Sequence, residues 1–186
     1  EIALGRLGAG FTVVASGEEV SRADRLIVPG VGDAAACMEI MRERALDGAI
    51  RDFFGSGKPI LGICLGSQII LDSSEEREAH CLGLLPGRAV RFSKELGEKV
   101  PHMGWNVVEP REDHWLFEGI PGETAFYFVH SYYPRPEREE AVIARAEYGI
   151  PFPAAVEREN LVATQFHPEK SGEFGLRMLK NFLNRG

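Results

Sequence analysis

Two short stretches of this chain carry residue types that could break an amide bond. The first is Gly62, Ile63, Cys64, Leu65, Gly66, directly after the apolar Pro59 to Ile63. A glycine two residues to either side of a cysteine, at the end of an apolar run, describes a nucleophile elbow. There the small residues leave room for a sharp strand-to-helix turn that pushes the sulfur into the open. The second is Gln165, Phe166, His167, Pro168, Glu169. In extended backbone residues i and i+2 face the same side, so the Glu169 carboxylate can reach the His167 imidazole.

A cysteine nucleophile works as the thiolate, which a neighbouring imidazolium and a helix N-terminus both favour. His167 would take the thiol proton and later deliver it to a leaving amine, while Glu169 fixes the tautomer and stabilises the imidazolium. A third stretch fits the same plan. Leu26, Ile27, Val28 reads as a buried strand, followed by the small-residue loop Pro29, Gly30, Val31, Gly32. The Val31 amide, with that of Leu65 just after the nucleophile, would form an oxyanion hole, each donor worth roughly 3 kcal/mol to acyl transfer.

The bland alternatives are concrete. Cysteine often fills a core as a small hydrophobe, and a lone Gly-x-Cys-x-Gly is a weak signal. Gln68 falls one turn into the helix after the elbow, where glutamine is an ordinary helix former. Glu76 belongs to an acidic run, Asp72 to Glu78, of the kind that is usually a solvated face. Ser131 and Tyr132 follow the apolar strand Ala125 to Val129, where a serine commonly satisfies turn backbone. His80, His102 and His114 show no metal-ligand spacing, so no metal site is expected and they read as structural or surface groups. Cys37 and Cys81 read as inert thiols.

Composition narrows the class. The 186 residues make one domain, spanning 1–186, able to bury roughly 70% of the surface exposed when unfolded. Three cysteines without paired spacing imply a reducing compartment, and we expect a cytoplasmic location. A formal charge of −7, from 21 Lys and Arg against 28 Asp and Glu, argues against nucleic acid as partner. No stretch approaches the ~20 apolar residues of a membrane span.

The elements that must position these residues alternate as short apolar runs and amphipathic stretches. Asp33 is placed to cap a helix reaching about Phe54, with Met38, Met41, Ala45, Ala49, Ile50 and Phe53 on one face. Pro59 to Ile63 follows as a buried parallel strand. This order implies an α/β, doubly wound mixed sheet with helices on both faces, whose ligands sit off the carboxyl ends of strands. From Gly87 onward shorter strands are expected at 89–92, 106–109, 124–129, 142–145, 153–156 and 161–165. They suggest a mixed, partly antiparallel extension. Ser171 then caps a closing helix carrying Phe174, Met178, Leu179, Phe182 and Leu183.

Six segments together carry a family resemblance: Pro29 to Gly32, Gly62 to Gln68, Pro101 to Asn106, His130 to Tyr133, Glu147 to Pro153 and Gln165 to Ser171. The chain resembles the class I glutamine amidotransferases, whose flavodoxin-like fold the pattern above matches. Within the class it is most similar to the glutaminase subunits of imidazole glycerol phosphate synthases. The resemblance runs essentially end to end. It implies hydrolysis of L-glutamine to glutamate and ammonia through a thioester on Cys64. It also implies delivery of the ammonia to a partner (β/α)8 cyclase subunit in histidine biosynthesis, without a cofactor. Gly32, Gln68, Ser131 and Tyr132 would hold glutamine with Glu76 near its ammonium group, and Tyr127 and Lys170 would face the partner.

Two departures from the family pattern stand out. Glu1 to Gly8 matches the late part of the family's first helix, so the usual first strand is missing from the sequence, and we expect the N-terminus to be incomplete. Ala34 replaces the family's usual bulky aromatic, which implies looser packing there. Glycine at 30 and 32 permits a peptide rotation that a bound partner could use as a switch. A class I glutaminase of another pathway, or a non-catalytic binding protein on the same fold, remains as an alternative at this point.

Overall fold

A computed structural model describes residues 1–185. The helices are α1 (Ile2–Arg6), α2 (Gly17–Ser21), α3 (Ala34–Glu43), α4 (Leu46–Gly55), α5 (Leu65–Ile69) and α6 (Gly172–Asn184). The strands are β1 (Leu26–Gly30), β2 (Ile60–Cys64), β3 (Ser73–Ser74), β4 (Ala79–His80), β5 (Gly87–Arg91) and β6 (His102–Pro110). They continue with β7 (Thr124–His130), β8 (Tyr132–Pro136), β9 (Val142–Glu147), β10 (Pro151–Arg158) and β11 (Leu161–Thr164). Seven strands form one mixed sheet in the order β1-β2-β11-β10-β9-β6-β7, and a second sheet runs β4-β3-β5-β8.

Within the seven-stranded sheet only β1, β2 and β11 run parallel, with β2 between the other two. Their carboxyl ends therefore lie side by side, and the register sets Gly30 opposite Cys64. All five residues of β2 are buried, as a strand covered on both faces requires. Alternation divides them: Leu61 and Ile63 join one core with Ala3 of α1 and Met178, Leu179 and Phe182 of α6. Ile60 joins the other, with Val20, Met38, Ile50 and Phe53 of α2 to α4. Helices thus cover both faces, as expected. Burying Met178, Leu179 and Phe182 stabilises the α6 contact by about 2 kcal/mol for each side chain, before ordering costs.

The expected single helix over 33–54 is two helices. Asp33 does cap the first, its Oδ1 accepting from the Ala36 amide at 2.8 Å. Ala45, however, sits at φ 53° and breaks the run between α3 and α4. No glycine or proline marks that turn; tertiary packing of α4 against α2 and α3 overrides the local preference of an alanine. Ser171 also departs from expectation. It precedes α6 but makes no side-chain cap, because its hydroxyl donates to the His167 carbonyl at 2.6 Å and accepts from the Tyr127 amide at 3.0 Å.

Strands β5, β6, β9 and β10 differ from their expected limits, and β8 carries no expectation at all. The acidic run is not a free solvated face. Asp72, Glu75 and Glu76 accept from the backbone amides of Gly87, Arg91 and Ala34, and Glu78 pairs with Arg88. Among the described residues no helix is long and apolar enough to cross a membrane.

Candidate active site

Cys64 closes β2 and caps α5 with φ 54° and ψ −106°, a conformation an L-residue adopts only when its surroundings impose it. The flanking glycines show what imposes it. A Cβ on Gly66 would stand 1.9 Å from the Val28 carbonyl oxygen, and one on Gly62 would meet the Gly66 oxygen at 2.9 Å and Ala163 at 3.0 Å. The elbow thus lies directly on the β1 backbone and against the Ala163 methyl of β11, an approach that no side chain at 62 or 66 would allow.

The sulfur itself is 6% exposed, as a residue, and looks into a cavity of about 310 Å³. That size is at the small end of the roughly 300–1,000 Å³ typical of small-molecule sites. Val31, Gly32, Leu65, Gln68, Glu76, Ser131 and Tyr132 all line it, so eight expected residues including Cys64 surround one space. Pro101, Val129 and His130 complete the wall; Pro101 and His130 open two of the six resembling segments, but none of the three was expected at the site. A larger concavity of about 620 Å³, between residues 109 and 122, lies apart from Cys64 and contains no nucleophile–base pair.

His167 stands behind the cysteine, after β11, with its amide held by the Tyr127 carbonyl at 2.9 Å. Its Nδ1 lies 2.7 Å from Glu169 Oε1. Its Nε2 is buried without a hydrogen-bond partner among the described residues. Burial alone would lower this imidazole's pKa; the nearby Cys64 sulfur and the Glu169 carboxylate outweigh it and raise it to about 9. The ring is thereby kept protonated at neutral pH beside the sulfur. Glu169 feels burial in the raising direction, but its bond to His167 wins and lowers it. Burial pushes the other thiols the opposite way from reactivity: Cys37 is raised, and Cys81 is raised to about 11.

The polar wall opposite Cys64 is organised. Gln68, buried in α5, donates from Nε2 to the Tyr132 carbonyl at 2.9 Å and to Gln165 Oε1 at 3.0 Å. Both its protons are used, which leaves its own oxygen as an acceptor for a ligand. Glu76 accepts from the Ala34 amide at 2.7 Å, and partial burial raises its carboxyl while that bond lowers it. A carboxylate at this rim suits a ligand's ammonium group. Gly32 has φ +99°, and Val31 is 78% exposed at the mouth. Ala34 is fully buried beneath them.

Tyr127 and Lys170 lie outside the cavity, with the Lys170 ammonium 5.8 Å from the Tyr127 ring centroid. Trp105 makes an edge contact with Tyr127 at 6.2 Å. Met103, Trp105 and Val107, alternating along β6, are 62%, 59% and 41% exposed. The three side chains show a period-2 exposed pattern that sequence reasoning passed over.

Comparison with known proteins gives these features a context. The profile of the family described as glutamine amidotransferase class-I matches residues 3–185. The imidazole glycerol phosphate synthase subunit HisH of Neisseria meningitidis is 47% identical over 173 residues, covering 90% of this chain and 81% of that protein. The corresponding subunit of Desulfitobacterium hafniense is 46% identical over 183 residues, covering 98% and 86%. Among solved structures, one described as a glutamine amidotransferase superposes with a TM-score of 0.75 over 97% of this chain and 90% of that one. At 24% sequence identity that likeness is one of fold.

Proposed function

The chain belongs to the class I glutamine amidotransferase family, and from that premise we propose that Cys64, His167 and Glu169 form its catalytic triad. It acts as the glutaminase subunit of imidazole glycerol phosphate synthase in histidine biosynthesis. The observation that carries the assignment of residues is the strained Cys64 elbow opening onto a polar cavity, with the carboxylate-held His167 behind it.

The chemistry follows from those positions. The thiolate of Cys64 attacks the side-chain amide carbon of glutamine, and the carbonyl electron pair moves onto oxygen, toward the amides of Val31 and Leu65. Collapse of this intermediate breaks the C–N bond, and His167 Nε2 gives its proton to the departing nitrogen, releasing ammonia. Water then attacks the glutamyl thioester with neutral His167 as base, the C–S bond breaks, and glutamate leaves. Glu169 keeps the ring's Nδ1 protonated, so that Nε2 is the nitrogen that exchanges protons with sulfur, amine and water.

Substrate contacts are assigned from the cavity wall. Gly32, Gln68, Ser131 and Tyr132 hold the glutamine, and Glu76 binds its ammonium group. Ammonia passes to a (β/α)8 cyclase partner, which converts it with a nucleotide substrate into imidazole glycerol phosphate and an aminoimidazole carboxamide ribotide. Tyr127 and Lys170, with the exposed stripe of β6, supply the docking surface for that partner. A cytoplasmic location fits three free cysteines, one of them reactive. The test is Cys64→Ala, assayed in complex with the cyclase. Glutamate release should fall to background, and release at the wild-type rate would overturn the proposal.

A further inference from the structure

One buried polar side chain beside the sulfur has no part in the triad. Gln165, the first residue after β11, is completely buried, and its main-chain amide is tied to the Ala154 carbonyl at 2.8 Å. Its side-chain amide lies between Gln68 and Cys64. Which end faces the sulfur is decided by hydrogen bonding, because a carbonyl oxygen of the backbone fixes the chain of contacts.

The Tyr132 carbonyl can only accept, and the Gln68 side chain approaches it at 2.9 Å, so that end of Gln68 is its NH2 group. The same NH2 group lies 3.0 Å from Gln165, so the atom it meets there is oxygen. The Gln165 NH2 group therefore points the other way, at Cys64 Sγ, 3.8 Å distant. Ser67 does not disturb this order, since its single hydroxyl proton goes to the Cys64 carbonyl at 2.7 Å. On its other side the sulfur meets the Val129 carbonyl at 3.9 Å, an acceptor that suits a protonated sulfur. Gln165 supplies the opposing donor, and a hydrogen bond to an ionised acceptor is about twice as strong as one to a neutral acceptor.

We propose that Gln165 is a further catalytic residue, whose side-chain amide donates to the Cys64 sulfur and stabilises it whenever it carries negative charge. That happens twice per turnover: before attack on the amide carbon, and when the C–S bond breaks and the sulfur departs with the electron pair. No proton is transferred by Gln165 and no co-reactant is needed. The inference rests on the reading of Cys64 as the nucleophile. The contact also joins the sulfur to Gln68, a wall of the ligand cavity, through one shared hydrogen bond.

A purely structural role makes the opposite forecast for one observable. Loosening the core would expose Cys64 and speed its alkylation at every pH, whereas loss of the donor slows it at low pH, where most of the sulfur is thiol and the rate follows the thiolate fraction. The test is Gln165→Met, which keeps length and removes the donor, and Gln165→Glu, which also adds a repelling charge. Alkylation by iodoacetamide is followed by mass spectrometry on the peptide carrying Cys64, with the half-buried Cys37 as internal reference for an intact fold.

At a pH low enough that most of Cys64 is thiol, we expect its alkylation about tenfold slower in Gln165→Met and slower still in Gln165→Glu, with Cys37 unchanged, as loss of a charge-assisted bond to the thiolate implies. In complex with the cyclase, kcat for glutamate release should fall with little change in KM. Should Gln165→Met fail to fold, Gln165→Asn withdraws the donor by one methylene and gives the same readout. Alkylation of Cys64 at or above the wild-type rate in these variants overturns the inference. Retained glutamate release in Cys64→Ala defeats the underlying reading instead; an inert Cys64→Ala beside an unaffected Gln165→Met defeats only the role of Gln165.

Discussion

Two buried histidine contacts at one end of the sheet are tuned in opposite directions. His167 Nδ1 meets a carboxylate, Glu169, at 2.7 Å, and against burial the Cys64 sulfur and that carboxylate together raise the ring to about 9. His102 Nδ1 meets another imidazole, His130 Nε2, at 3.0 Å. Burial lowers His102 to about 4 and His130 to about 3. Burial is common to both places, so the partner decides the charge. The neutral pair is also fully committed. The Tyr132 carbonyl, 2.8 Å from His130 Nδ1, makes that atom the donor, so His130 Nε2 accepts from His102 Nδ1. His102 Nε2 then accepts from Asn106, 3.3 Å away, and the ring stacks on Tyr148 at 4.0 Å. One site keeps a proton to give; the other holds the Ser131–Tyr132 corner in place.

The contrast can be broken first at Glu169. Glu169→Gln should cost about 10³-fold in kcat for glutamate release, within the range of general acid–base effects. The His167 titration midpoint, followed by NMR of its ring protons, should fall below 9. An unchanged rate and midpoint would mean the carboxylate does not set the ring's charge.

The pH dependence of stability reads the other pole. Groups with folded pKa values depressed below 6.5 stabilise the fold above that pH and lose the contribution as pH falls through their folded values. We expect stability to drop by about 3 kcal/mol for His102 and about 5 kcal/mol for His130 between pH 6.5 and the region of pH 3 to 4, measured by denaturant melts. His167 has the reverse sign: its contribution is complete below pH 6.5 and is lost as pH rises through about 9.

Replacing half of the neutral pair gives a smaller effect. His130→Phe keeps the ring volume but strands the His102 donor and removes one bond to Tyr132, at a cost of about 2 kcal/mol. The acid-induced loss should shrink, since one titrating imidazole is gone, and KM for glutamine should rise as the corner loosens. An acid limb identical to wild type would show that this pair does not set it. The smallest expected effect is at Lys170. Lys170→Ala removes an exposed contact with Tyr127 worth about 0.5 kcal/mol, so the free subunit should melt almost as before. Its effect belongs to partner-stimulated turnover; a large loss of stability in the free subunit would contradict a docking role.

These poles were unequally legible in the sequence. The elbow and the His167–Glu169 spacing announce themselves through local patterns, and the elbow lands where β2 ends; Gly32, Gln68, Glu76, Ser131 and Tyr132 have ordinary local readings, and only the family resemblance pointed to them as the cavity wall. The apolar run that becomes the buried strand β2 and the apolar face of α6 were likewise legible in the hydrophobic pattern. The His102–His130 pair is separated by 28 positions and joined only because β6 and β7 pair in register. Gln165 reaches Cys64 across 101 positions, and nothing local distinguishes its side chain from a strand-end glutamine. The break at Ala45 runs against local preference, and β8 exists because Tyr132 to Pro136 finds β5 rather than because of its own pattern.

The central claim, that Cys64 is the one thiol that attacks glutamine, is tested most directly by labelling with a glutamine-mimicking electrophile and mapping the adduct. With the cyclase present, we expect the label on Cys64 alone, with glutamine in the mixture slowing its arrival. Label on Cys37 or Cys81, or labelling indifferent to glutamine, would contradict it.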